Sequence, residues 1–173
     1  MKILAIETSC DETCAAVTEE TNILSNVVWS QIDLHKEFGG VVPSIARRAH
    51  QEKIDFVINK AMRTGSHLVR PPNIDAIAVT AGPGLAIALE VGISKAKELA
   101  IKWNRPLITV NHIEGHVLSP LASVISPPNS PLNLRGGNPK GGGGISFISF
   151  PAMALVVSGG HTELILVSEI GKY

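Results

Sequence analysis

The sequence has little of what secreted or membrane-spanning proteins need. Its 173 residues include 2 cysteines, and aromatic residues make up 4%. Cys10 and Cys14 form a single spaced pair, which is neither a disulfide framework nor a zinc-ligand pattern. No apolar run is long enough to span a membrane, and the apolar run at the N-terminus is too short for the core of a signal peptide. We therefore expect a protein of a reducing compartment, the cytoplasm.

The sequence also lacks an excess of either charge. Its 15 basic and 15 acidic residues give a formal net charge of +0. A freestanding nucleic-acid-binding protein normally carries a basic excess, although an RNA held by a local patch or by a partner subunit is not excluded. The densest basic cluster comprises Arg47, Arg48, His50 and Lys53. Its favoured interpretation is a solvated helix face rather than an RNA contact.

What is present is an alternation of short apolar strands and amphipathic helices. The pattern predicts strands over residues 3–6, 14–18, 23–30, 74–80 and 107–110, and helices over residues 44–63, 85–103 and 112–122. The order is β-β-β-α-β-α-β-α. It indicates an α/β lobe in which a three-strand meander is extended by parallel α/β units.

The pattern breaks after residue 122. Prolines at 127, 128, 131 and 139, followed by glycines at 141–144, indicate a linker or disordered insertion over residues 123–150. Two apolar strands, residues 154–157 and 163–167, then flank a small-residue turn, as at the start of the chain. We therefore predict a first lobe over residues 1–122 and the opening β-hairpin of a second lobe over residues 151–173.

Two histidines follow the last strand of the first lobe. His112 and His116 are four residues apart, so on a helix both imidazoles lie on one face and can reach one metal ion. A strand that leads directly into this helix places the pair at the carboxyl end of a sheet, where open α/β folds bind ligands. Taken alone, the spacing favours two ordinary surface histidines.

The first hairpin turn carries Ser9, Asp11 and Glu12. Backbone N–H groups in turns rich in Ser and Gly can approach phosphate oxygens, and Asp11 and Glu12 could position a cation or water beside them. Taken alone, the two acids are more simply turn-forming residues. Two lobes that each open with such a hairpin are similar to the actin-like, sugar-kinase-like and Hsp70-like ATPases.

Five segments occur together in one order, at residues 6–13, 39–44, 80–85, 110–116 and 157–162. This combination resembles the universal tRNA threonylcarbamoyladenosine transferase (TsaD) family, once described as O-sialoglycoprotein endopeptidases. The resemblance covers about residues 1–122 and 151–173. It implies an actin-like ATPase (ASKHA) fold with one βββαβαβα lobe and the opening hairpin of a second.

The resemblance also implies an activity. The family transfers the threonylcarbamoyl group from threonylcarbamoyl-AMP to N6 of adenosine 37 in tRNAs reading ANN codons. His112 and His116 match ligands of one divalent metal, usually Fe²⁺, with Zn²⁺ or Mg²⁺ as alternatives. Ser9 matches a substrate-binding position, and Asp11 and Glu12 match catalytic positions of the phosphate-facing turn. The segment that matches the adenylate site comprises Val156, Val157, Ser158, Gly159 and Gly160.

The chain departs from the family in two ways, a longer glycine-rich connection and an end at Tyr173, where family members continue. The continuation carries an aspartate that completes the metal site. We therefore expect an N-terminal portion that is active when a second lobe is supplied, together with a TsaB-like partner subunit. The alternatives are a non-catalytic binding or assembly module and, less favoured, a metallopeptidase. Glu114 argues against the peptidase, because it lies on the opposite helix face from the two histidines.

The last hairpin predicts a solution property. Without a covering lobe it would present an unpaired edge and an apolar face. We expect poor solubility, dimerisation or dependence on a partner.

Overall fold

A computed structural model describes residues 1–63, 71–124, 149–157 and 162–172. The chain divides into two units, residues 1–112 and 113–173. The predicted boundaries at 122 and 150 stay predictions, because most of the predicted insertion lies outside the described residues. None of the helices in the described ranges combines the length and the apolar composition needed to cross a membrane.

The first unit is built on a mixed sheet. Its strands are β1 (Lys2–Glu7), β2 (Glu12–Glu19), β3 (Asn22–Ser30), β4 (Ala76–Gly82) and β5 (Leu107–Asn111). They lie in the order β5-β4-β1-β2-β3, with β1–β2 and β2–β3 antiparallel and β1–β4 and β4–β5 parallel. The predicted meander with parallel extensions is confirmed. Strands β1, β4 and β5 therefore end at the same edge of the sheet.

Two long helices supply the apolar cover of this sheet. Helix α2 (Pro43–Arg63) and helix α3 (Ala86–Trp103) match the predicted helices to within two residues. Strand alternation sends Leu4 and Ile6 into the core with apolar side chains of α2 and α3. Each fully buried Leu or Ile contributes roughly 1.5–3 kcal/mol to folding. The alternate positions, including Ala5 and Glu7, line a cavity of about 240 Å³ on the other face.

Short elements join these parts. Helix α1 (Ile32–His35) and 3-10 turns over Lys36–Phe38 and Pro71–Asn73 were not predicted. The predicted strand over 74–80 begins two residues later, at Ala76. A helix of one turn is too short to show an apolar period, so the sequence pattern carries no signal for α1.

The second unit contains shorter elements. Helix α4 (His112–Leu118), whose first residue closes the first unit, leads into a 3-10 turn over Ser119–Leu121. The predicted extension of this helix to residue 122 is wrong, because Pro120 lacks a backbone N–H and cannot continue the α-helical pattern. A two-residue strand, β6 (Ser123–Val124), begins inside the predicted linker.

The hairpin predicted near the end of the chain is confirmed. Strands β7 (Ala152–Val157) and β8 (Thr162–Val167) pair antiparallel, with Leu155 opposite Leu164. The turn residues Ser158, Gly159 and Gly160, predicted to bind the adenylate, lie outside the described residues, as does His161.

Candidate functional site

Three chain segments meet at the carboxyl edge of the first unit's sheet. Glu7 ends β1, Thr80 lies near the end of β4, and His112 follows the last residue of β5. The Glu7 Oε2 atom lies 3.3 Å from Nδ1 of His112, and the Ser9 Oγ atom lies 3.1 Å from the same nitrogen. The parallel strand arrangement thus joins the first hairpin turn to the first of the two predicted metal ligands.

Several donors converge on the Glu7 carboxylate. The Ser9 backbone N–H donates to Oε1, and the hydroxyls of Ser9 and Thr80 and the ring of His112 also bond the carboxylate. Burial raises the pKa of Glu7, but these hydrogen bonds together outweigh burial and hold it below its usual value. An ionised carboxylate only accepts hydrogen bonds, so Nδ1 of His112 carries the proton. A metal bond from this imidazole would therefore use Nε2.

Ser9 is 3% exposed, and all its polar groups bond within the protein. Its N–H donates to Glu7, and its hydroxyl lies beside His112. Its carbonyl oxygen accepts from the Leu85 N–H at 2.7 Å. A Cβ at Gly84 would lie 2.6 Å from this same carbonyl oxygen, so Gly84 permits the close approach of the two turns. The substrate-binding role of Ser9 stays a prediction, and the observed contacts give it a part in holding the turn.

The acids of the turn lie differently. The Asp11 carbonyl oxygen accepts from the Gln31 N–H at 2.9 Å, and the Asp11 carboxylate hydrogen-bonds the Cys10 thiol. Glu12 begins β2 and is exposed. The structure places neither carboxylate in the Glu7–His112 contact, and their predicted catalytic roles stay predictions.

The two cysteines are poor nucleophiles. Partial burial of the thiol, followed by the nearby Asp11, raises the pKa of Cys10 to about 11. Burial, followed by the charges of Glu12 and Glu7, raises the pKa of Cys14 to about 12. Both thiols are therefore protonated at neutral pH, and a thiolate is the reactive form.

A network of buried hydrogen bonds ends at the first hairpin turn, at the carbonyl oxygen of Cys10. The Val42 N–H donates to Nδ1 of His35 at 3.3 Å, and the His35 Nε2–H donates to Gln31 Oε1 at 3.0 Å. The Gln31 amide donates to Nδ1 of His50 at 3.3 Å, and the His50 Nε2–H donates to the Cys10 carbonyl oxygen at 3.0 Å. Both imidazoles are neutral in this arrangement, since each uses one nitrogen as an acceptor.

The sequence pattern did not reveal this hydrogen-bond network, and the prediction for His50 was wrong. The residue is 0% exposed, so it does not belong to a solvated basic face, whereas Arg47 and Arg48 are exposed. Helical spacing alone contained the signal, because His50 follows Ala49 and precedes Ile54 on the buried stripe of α2.

Helix α4 carries the second predicted metal ligand. His116 follows His112 by four residues, one helical turn, as predicted. Within the second unit, His116 and Val156 line one cavity of about 240 Å³ whose other walls are mainly apolar. Val156 is buried and Val157 is 69% exposed. Two residues from separate predicted sites, the metal site and the adenylate site, thus border the same space.

The imidazole groups of His112 and His116 are suitable ligands for a transition metal. Imidazole nitrogens bind Fe²⁺ and Zn²⁺ well, whereas Mg²⁺ prefers oxygen ligands. Within the described residues, no three His, Cys, Asp or Glu side chains gather as a metal-binding group. Two histidines alone leave a catalytic metal short of ligands.

The meander, its parallel extension and the helices on the sheet define an α/β protein with the actin-like ATPase (ASKHA) fold, as predicted. The sequence model of the TsaD family, described as tRNA N6-adenosine threonylcarbamoyltransferase, matches residues 22–140. The chain belongs to this family.

Curated relatives agree with the family match. The tRNA N6-adenosine threonylcarbamoyltransferase of Pelagibacter ubique is 45% identical over 176 residues, covering 99% of this chain and 43% of that protein. The enzyme of the same name from Bacillus subtilis is 46% identical over 174 residues, covering 100% of this chain and 43% of that protein. The chain thus spans less than half the length of these relatives.

Part of the chain also matches a solved structure, YeaZ from Pseudomonas aeruginosa. It has a TM-score of 0.49 and 23% sequence identity, over 64% of this chain and 43% of that one.

Proposed function

We propose that this chain provides the first lobe, and the start of the second, of a tRNA N6-adenosine threonylcarbamoyltransferase. The reaction would move a threonylcarbamoyl group from threonylcarbamoyl-AMP to N6 of adenosine 37 in tRNAs reading ANN codons. Family membership supports the activity. The structural observation that carries the proposal is the Glu7–His112 contact, at the sheet edge where α/β folds bind ligands.

The chemistry needs no covalent intermediate on the protein. The N6 amine attacks the carbamoyl carbon, a C–N bond forms, the C–O bond to the phosphate breaks, and AMP leaves while the amine loses a proton. Both cysteine thiols are protonated at neutral pH, which agrees with direct transfer. The residues of the chain would bind and orient the two substrates, and orientation alone can remove several kcal/mol from a barrier, on the order of 7–11 kcal/mol in the best cases.

We further propose that His112 and His116 hold one divalent metal, Fe²⁺ in preference to Zn²⁺ or Mg²⁺. When bound, such an ion stabilises negative charge on a carbonyl or phosphate oxygen. The two imidazoles stand one helical turn apart on α4, which supports a shared ion. The remaining ligands would come from outside this pair.

Residues of the two hairpins would supply the substrate contacts. Val156, Val157 and the turn over residues 158–160 would hold the adenylate, and Ser9, Asp11 and Glu12 would face its phosphate. The cavity that His116 shares with Val156 supports a site where metal and adenylate are neighbours. We also propose a TsaB-like partner subunit and a cytoplasmic location, which the family resemblance and the proposed tRNA substrate support.

The proposal is tested by restoring the second lobe. The chain is co-expressed with the C-terminal segment of the Bacillus subtilis relative, and threonylcarbamoyladenosine in tRNA is measured by nucleoside mass spectrometry. We expect modified tRNA from the pair and a loss of at least about 100-fold for His112→Ala, in line with losing a metal ligand or its support.

The matched control is Asn59→Ala, which removes an exposed polar side chain of α2 outside the predicted site and should leave the yield unchanged. Full activity of His112→Ala would contradict the metal proposal. Partner binding without any tRNA modification would favour the non-catalytic assembly module instead.

A further inference from the structure

We propose that Glu7 is a positioning residue for His112, whose carboxylate fixes the Nδ1–H form of the imidazole so that Nε2 carries the lone pair. The inference rests on the proposed function only in taking His112 as a metal ligand. Glu7 reaches His112 across 105 residues of sequence, at 3.3 Å between Oε2 and Nδ1. A histidine that ligates a metal commonly donates its other N–H to a carboxylate, which sets the ring orientation.

The donors around the carboxylate decide the proton position. The Ser9 N–H and the hydroxyls of Ser9 and Thr80 all donate to Glu7, so the carboxylate acts as an acceptor towards each neighbour. The contact with Nδ1 of His112 then requires the ring to be the donor. The Ser9 Oγ atom lies 3.1 Å from the same nitrogen. Because the Ser9 hydroxyl donates its hydrogen to Glu7, this contact leaves the proton on Nδ1 of His112.

The Glu7 charge is stabilised by the hydrogen bonds around it, although the side chain lies partly in an apolar cavity. Its side chain is 30% exposed and lies in a cavity lined by Ala5, Ala78 and Val110. Burying a carboxylate among apolar side chains disfavours folding unless hydrogen bonds compensate. The carboxylate accepts these hydrogen bonds from the hairpin turn, from β4 and from the start of α4.

The test reads the ring nitrogens directly. The whole 173-residue chain is labelled with ¹⁵N-histidine, and His112 is assigned by the loss of its signals in His112→Asn. Long-range ¹H–¹⁵N correlation is expected to show a protonated Nδ1 and an unprotonated Nε2 in the wild type. The Ser9 N–H bonds Oε1 of Glu7 and His112 faces Oε2. In Glu7→Gln an NH₂ donor replaces one of these two oxygens, and when it faces His112 the ring nitrogen Nδ1 must accept, so the Nε2–H form should appear.

The control Glu19→Gln removes the same charge from β2, where Glu19 pairs with Lys2, and should leave the tautomer unchanged. Zinc affinity supplies a second readout, with Zn²⁺ as the probe. We expect Glu7→Gln to weaken it by about 10–100-fold and Glu19→Gln to leave it as in the wild type.

Two results would overturn the inference. One is a wild-type His112 in the Nε2–H form, which needs no variant and so survives a Glu7→Gln protein that fails to fold. The other is loss of the Nδ1–H form in Ser9→Ala, which keeps Glu7 and would assign the effect to the hydroxyl. A Glu7-dependent tautomer without zinc binding supports the positioning role and contradicts only the metal proposal.

Discussion

His50 is a neutral imidazole buried in the core, and this makes stability depend on pH. Burial lowers the pKa of His50, opposed by the Cys10 carbonyl and the charges of Glu7 and Asp11, while nearby His35 acts in the same direction as burial. An unfolded histidine titrates near about 6.5. Below that pH the unfolded chain binds a proton that the folded chain does not, so stability falls with pH down to the folded-state pKa.

We expect the free energy of unfolding, from urea titrations between pH 8 and 5, to be highest at pH 8 and to decrease through this window. His50→Gln should lose part of this slope. It should also be less stable at pH 8 by about 1–3 kcal/mol, because Thr13 and Gln31 lose their shared acceptor. An unchanged slope in His50→Gln would refute the assignment.

The elements show how much the sequence could predict. Long periodic segments such as α2 and α3 were confirmed because their apolar residues repeat with the helical period. The role of Glu7 could not be predicted, since an acid at the end of a strand has no local signal and its partner is 105 residues away. The helix after β5 was predicted too long because its apolar pattern continued past the point where Pro120 stops α-helical bonding.

Helix α3 packs against the first hairpin turn at Gly92. The Thr8 hydroxyl donates to the Ala88 carbonyl oxygen at 2.9 Å and accepts from the Gly92 N–H at 3.2 Å. A Cβ at Gly92 would lie 2.4 Å from the Thr8 Oγ1 atom, and Thr8 is 1% exposed and cannot swing away. In Gly92→Ala the overpacking should cost about 1–3 kcal/mol of folding free energy. This cost should exceed the gain of roughly 1 kcal/mol from the higher helix propensity of alanine.

We therefore expect Gly92→Ala to be less stable than the wild type in thermal and urea unfolding. Gly115→Ala in α4 is the matched control, because a Cβ there meets nothing within 4 Å. It should be neutral or slightly stabilising. Thr8→Ala combined with Gly92→Ala should recover part of the loss, and equal effects in both backgrounds would argue against this contact.

At the scale of the whole molecule, the β7–β8 hairpin presents an exposed apolar face from which association in solution is predicted. Opposed pairs on one face of the hairpin, Met153 with Leu166 and Leu155 with Leu164, are between 54% and 66% exposed. Contiguous exposed apolar patches of this kind mark interaction sites or drive association. The expected poor solubility or dimerisation stays a prediction, and this face is its most direct physical cause.

We expect light scattering after size-exclusion chromatography to show concentration-dependent association of the 173-residue chain. Leu155→Lys combined with Leu164→Glu should reduce it, because the two substitutions place opposite charges at a directly opposed cross-strand pair and remove the apolar contact. Ile101→Lys on α3 is the control, since Ile101 is 83% exposed but lies apart from this face in sequence and unit. A wild-type chain that stays monomeric at every concentration would contradict the prediction. An equal response of the Ile101 variant would move the associating surface to the first unit.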